Sequence, residues 1–197
     1  MINRNIFLIV LFISILGLVF SVNESVIAKE LNLPQLARTS VESYLQGKTF
    51  NIKEIELINS YRGKIVGVFV TIIDEENKSR GCWGNLYPQT GLKESIVSSA
   101  IGAIKKDYRF KPPALAELPG LKFQVSLVSD VIPVSSVREF NPLKDGMMVQ
   151  SGGKTGILLP GEAIDAHYQM VQCKLKANIQ PDEPYNLFKL VTRVYKD

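Results

Sequence analysis

Seven consecutive residues, Gly67-Val68-Phe69-Val70-Thr71-Ile72-Ile73, carry the β-branched and aromatic side chains that favour extended backbone. The polar stretch Asp74-Glu75-Glu76-Asn77-Lys78 then leads straight into a second extended run, Ser79 to Tyr87. Two such runs joined by so short a polar turn pair as an antiparallel hairpin. A second hairpin is expected at 146–150 and 155–159, around the turn Ser151-Gly152-Gly153-Lys154. Further strands are read at 52–58, 123–128 and 187–195 from their alternation of apolar and polar residues. Helices are expected at 36–45 with Gly47 as a stop, at 92–106, and at 162–177 after Pro160-Gly161. The middle helix is the clearest, since positions 92, 96, 97, 100, 101 and 104 are apolar at helical spacing and Thr90 can cap it. Hairpins outnumber helical crossovers, which predicts an α+β fold with a largely antiparallel sheet.

At 197 residues, 46% of them hydrophobic, the chain is long enough for one good core and too short for an array of modules. Its net charge of +4 comes from scattered basic residues, so no nucleic-acid partner is expected. Arg4 precedes an apolar stretch from Ile6 to Phe20, and the polar segment Ser21 to Ser25 follows it. That pattern reads as a signal peptide over 1–28, cleaved after the Val26-Ile27-Ala28 triplet. The alternative is an uncleaved membrane anchor, for which the stretch is short. Export to the periplasm or the exterior is therefore expected, with membrane contact only if the segment stays attached.

Export bears on the two cysteines. Cys82 and Cys173 allow one intramolecular bridge, which an oxidising compartment permits and sequence leaves open. No paired C-x-x-C spacing predicts a metal site. His167 is read as a helix-surface residue, about 240° around the helix from Cys173. Gly152-Gly153-Lys154-Thr155 resembles the end of a phosphate loop, but Met148 stands where that loop needs a glycine, and a strand follows.

The segment Arg80-Gly81-Cys82-Trp83-Gly84 carries the most chemistry. On a strand Arg80, Cys82 and Gly84 would face one way and Gly81 and Trp83 the other. A guanidinium beside Cys82 would favour its thiolate and could hold a carboxylate or phosphate, making Cys82 a candidate nucleophile. Arg80, Gly81 and Gly84 are candidate ligand-binding residues, because glycines leave backbone open to close approach. The same pattern also fits a cysteine packed as a small hydrophobe, with glycines that seat another chain segment. Asp107 and Arg109, after the middle helix, could fix that corner or line a cleft.

Leu36-Ala37-Arg38, Gly67-Val68-Phe69-Val70-Thr71, Arg80-Gly81-Cys82-Trp83-Gly84, Asp107-Tyr108-Arg109-Phe110, Glu117-Leu118-Pro119, Val125-Ser126-Leu127 and Leu158-Leu159-Pro160 occur in an order and spacing that resembles the AMMECR domain family. The name stands for the Alport syndrome, midface hypoplasia and elliptocytosis chromosomal region. The resemblance spans residues 35–197. It implies an α+β fold whose antiparallel sheet is flanked by helices beside a smaller subdomain, and it implies no reaction or cofactor. Trp83 stands where typical members carry an aliphatic residue, and the leader is also atypical.

Two functional classes follow. One is a domain that binds or acts on a small polar or anionic ligand at a cleft around the Arg-Gly-Cys-Trp-Gly motif. The other is a non-catalytic module that holds an envelope protein through its sheet or Trp83.

Overall fold

A computed structural model describes residues 29–58 and 62–197. The signal-peptide or anchor segment 1–28 lies outside the described residues. Among the described residues no helix is long and apolar enough to cross a membrane.

The first strand, β1 (Lys29–Leu31), pairs in parallel with β2 (Ile55–Leu57). Between them runs helix α1 (Leu33–Leu45). Its start is fixed by a reciprocal cap in which Asn32 Oδ1 accepts the Gln35 N–H and Gln35 Oε1 accepts the Asn32 N–H, each at 2.9 Å. The expected strand over 52–58 is shorter than predicted. Asn51 Oδ1 accepts the Lys53 N–H and winds Ile52–Glu54 into a 3₁₀ turn before the extended backbone begins.

Six strands make the main sheet: β3 (Gly67–Ile73), β4 (Ser79–Leu86), β5 (Lys122–Val134), β6 (Asp145–Ser151), β7 (Lys154–Leu158) and β8 (Asn186–Lys196). Their order is β4-β3-β5-β8-β6-β7, and every neighbouring pair is antiparallel. Both expected hairpins are present, as β3-β4 and β6-β7. The fifth strand runs on past the expected end at 128, through a bulge between Val128 and Asp130.

Helix α2 (Leu92–Lys105) matches its predicted span, with Gly91 at the cap position. Thr90, the expected cap, instead places its hydroxyl 3.0 Å from that of Ser95. Helix α3 (Ala166–Lys176) begins later than expected, because Asp165 accepts the Tyr168 N–H at 2.7 Å and sets the start there.

Strand β3 shows how the layers divide. Val68, Val70 and Ile72 point to one face, where they join Phe123, Val125 and Leu127 of β5 beneath α1 and α2. Burying each of these side chains is worth about 1.5–3 kcal/mol, which makes this face the main source of stability. A smaller core gathers Met147, Val149, Leu158 and Leu187 under Cys173 of α3. On the other side of the sheet Phe69, Val128, Met148, Leu159 and Leu190 meet in a third cluster, with Cys82 and Ile157 packed against it. All three helices therefore cover the outer face. The sheet curls around the third cluster and brings its two edges, β4 and β7, toward each other. The result is an α+β fold with a smaller lobe of β6, β7 and α3.

Candidate functional site

The approach of the edges leaves a cleft of about 430 Å³ between β4 and β7. Its floor is apolar, formed by Phe69, Cys82, Gly84, Ile157 and Leu159. Its rim is charged, with Lys106, Asp107 and Arg109 on one side and Glu162 and Lys176 on the other.

Strict alternation along β4 holds for four of its five motif residues. Gly81 lies under α2, where a Cβ would collide with the carbonyl oxygen of Ala103, while a Cβ on Gly84 would strike the Phe69 ring. Another chain segment, rather than a ligand, makes the close approach at both glycines. Trp83 packs on Gly102 of α2, with the Lys106 ammonium 5.4 Å from its ring centre. Arg80 departs from the expected pattern. The register slips so that Ile72 faces Gly81 and Ile73 faces Ser79, which makes Arg80 the extra residue of a bulge. Its guanidinium bonds Glu117 at 2.9 Å and does not line the cleft.

The guanidinium that serves the cleft is Arg109. It grips Asp107 with two bonds, Nε to Oδ1 and Nη2 to Oδ2, both at 2.7 Å. Asp107 Oδ2 also accepts the Cys82 N–H at 2.9 Å, the backbone group that β4 turns away from β3. Burial works to raise the Asp107 carboxyl, but the bonds from Arg109 and the Cys82 N–H outweigh it and hold it below the usual carboxylate range. The opposite edge is tied as well. Lys176 Nζ donates to the Ile157 carbonyl at 3.1 Å, and Glu162 Oε2 accepts the Leu159 N–H at 2.7 Å. Nζ of Lys176 lies 3.6 Å from Oε2 of Glu162.

These surroundings do not activate Cys82. Burial, reinforced by the negative charge of Glu162, pushes its thiol up to about 12 against the pull of Thr71, Lys176 and Arg109. Thr71 Oγ1 lies 3.3 Å from the sulfur. The thiol is therefore protonated at neutral pH, the opposite of what a nucleophile needs. His167 is exposed on the first turn of α3 and supplies no base to it. The bridge that sequence left open does not form. Both cysteines are free, because Cys82 joins the inner cluster while Cys173 packs on the outer face beneath α3.

Four of the candidates from sequence thus meet at this end of the molecule: Cys82 and Gly84 on the floor, Asp107 and Arg109 on the rim. Gly81 is a helix seat and Arg80 lies elsewhere. Lys106, Ile157, Glu162 and Lys176 were not singled out. Lys106 adjoins Asp107 and could have been included with it, but nothing local ties the other three to β4.

A sequence profile of the AMMECR1 family matches residues 34–196. The chain belongs to the AMMECR1 family. A Nanoarchaeum equitans relative is 34% identical over 145 residues, covering 68% of this chain and 77% of its own length. One from Methanocaldococcus jannaschii is 29% identical over 177 residues, covering 82% and 86%. The crystal structure of an uncharacterized protein from Pyrococcus horikoshii superposes with a TM-score of 0.71 at 26% identity, over 84% of this chain and 89% of that one. The family is thereby shared along the whole of β3 to β8, including both edges of the cleft.

Proposed function

We propose that the cleft between β4 and β7 binds a small anionic ligand. The observation that carries this reading is the convergence of Lys106, Arg109 and Lys176 on an open apolar floor where both acids are already occupied. Asp107 holds Arg109 and the Cys82 N–H, and Glu162 holds the Leu159 N–H. A ligand carboxylate or phosphate therefore meets cations with spare donors, since Lys106 has none of its protons committed to a carboxylate and Arg109 keeps Nη1. The apolar floor lowers the local polarity beneath a bound ligand and strengthens those contacts. Cys82 acts here as part of the floor. Docking through Trp83 is less well supported, because that ring is partly covered by α2 and Lys106.

The leader pattern over 1–28 supports an encounter with this ligand outside the cytoplasm. An intact mass beginning at Lys29 in protein isolated from its host would establish that part. Binding itself is tested by titrating inorganic phosphate and citrate into the isotopically labelled protein. Saturable amide shifts at Cys82 to Gly84, Asp107 to Arg109 and Ile157 to Leu159 are expected, weakened in Lys106→Gln. Absence of saturable shifts at all three segments with both anions would defeat the reading.

A further inference from the structure

Past Arg109 the concave face of the sheet opens into a second chamber of about 500 Å³. Arg109, Glu162 and Lys176 line both spaces, so they stand as a divider rather than an end wall. The chemistry changes across them. On the near side the sheet offers Phe69, Cys82 and Gly84, and on the far side it offers Thr71 of β3, Ser79 of β4 and Gln124 of β5.

These three polar residues share a face by register, since Thr71 pairs with Gln124 and Ile73 with Ser79. Two of them are well covered, with Thr71 at 5% and Gln124 at 8% exposure, and Ser79 is half-buried. The Ser79 hydroxyl is buried and has no hydrogen-bond partner among the described residues. Leaving a buried hydroxyl unsatisfied is costly, and Ser79 stands in the lining of the chamber, where an occupant can supply the missing partner. Around the chamber stand three cations, Arg109, Lys176 and Lys196, against the single carboxylate of Glu162.

We propose that this second chamber is a subsite for a polyol phosphate. Its hydroxyls would lie on Ser79, Thr71 and Gln124, and its phosphate would reach the Arg109 and Lys176 divider with Lys196 behind it. The phosphate end rests on the anion reading of the neighbouring cleft, whereas the polyol end rests on the floor residues alone. No sequence motif pointed to that floor, because its members come from three separate strands.

The probes are ribose 5-phosphate, ribose and inorganic phosphate, each titrated into the labelled full-length protein. Ribose 5-phosphate is expected to bind about tenfold more tightly than phosphate, the effect of one or two added hydrogen bonds to buried groups, and to shift the amides of Thr71, Ser79 and Gln124. Ser79→Ala and Gln124→Leu should each remove most of that advantage and leave phosphate binding unchanged. Equal affinity for ribose 5-phosphate and phosphate, with shifts confined to Lys106, Arg109 and Lys176, overturns the subsite and leaves the anion cleft standing. If neither ligand shifts any residue of either chamber, both proposals fall together.

Discussion

The two edge strands meet the same hazard in different ways. An edge presents unpaired N–H and C=O groups that invite another chain to pair with it. At β4 the answer is one buried carboxylate, Asp107, which accepts the Cys82 N–H and is itself held by Arg109. At β7 the work is divided between Lys176 on the Ile157 carbonyl and Glu162 on the Leu159 N–H, both on more exposed side chains. One edge thus depends on a concentrated, desolvated charge and the other on a distributed, partly hydrated pair. The consequence is that damage at β4 should be large and pH-dependent, while damage at β7 should be small and local.

Asp107→Ala breaks the comparison most severely. It strands a buried N–H and leaves Arg109 without its partner, at an expected cost of about 3 kcal/mol, the low end for a broken buried pair because Arg109 is half exposed. Denaturant unfolding measures it. The pH dependence has a definite sign. Because the folded carboxyl lies below its ordinary value, its contribution is present above the unfolded pKa and disappears as pH falls through the folded one. Asp107→Asn should therefore lose the acid-side slope that this residue gives the wild type. An unchanged slope would mean the carboxylate is not held as described.

Gly81→Ala comes next, with an expected loss of about 2 kcal/mol from forcing α2 off β4. The obstacle is the backbone carbonyl of Ala103, which no rotamer change can move. A variant as stable as wild type would show that α2 does not sit directly on this strand.

Lys176→Met sharpens the other half of the contrast. Its Nζ caps one carbonyl from a side chain 29% exposed, so a loss of about 1 kcal/mol or less is expected. Hydrogen exchange should quicken at Ile157 and Leu159 and stay unchanged at Cys82. A loss equal to that of Asp107→Ala would erase the distinction between the edges.

The same contrast explains how much was legible. The β3-β4 and β6-β7 hairpins and α2 could be read because their signals are local: alternation, a short polar turn, and apolar residues at helical spacing. Where a side chain competed for the backbone, the reading slipped. Asn51 turned half of an expected strand into a 3₁₀ turn, and Asp165 delayed α3. The β4 rim was visible because Cys82 and Asp107 lie in recognisable segments flanking one helix. Glu162 and Lys176 reach the cleft only through the curl of the sheet, a property of all six strands that no window of sequence contains. Arg80 misled for a related reason: a single-residue bulge breaks the alternation on which its assignment depended.

Cys82 sits between the two edges, on β4 and packed in the same inner cluster as Ile157 of β7, and gives the smallest effect. Its thiol is raised from 9.0 to about 12, so far less of it is thiolate at neutral pH than of an ordinary cysteine. Iodoacetamide should label it correspondingly slowly in the native state and at the normal rate after unfolding. The raised value also fixes a direction. Below pH 9 the thiol is neutral whether folded or not, but above it the unfolded chain ionises first, so this residue lowers stability as pH rises toward 12. Cys82→Ala should flatten that alkaline decline while leaving anion binding in the cleft within about twofold of wild type. Rapid native labelling at neutral pH would instead mean that the thiol is not held up by its surroundings at β4 as described, and that this edge does not shelter it.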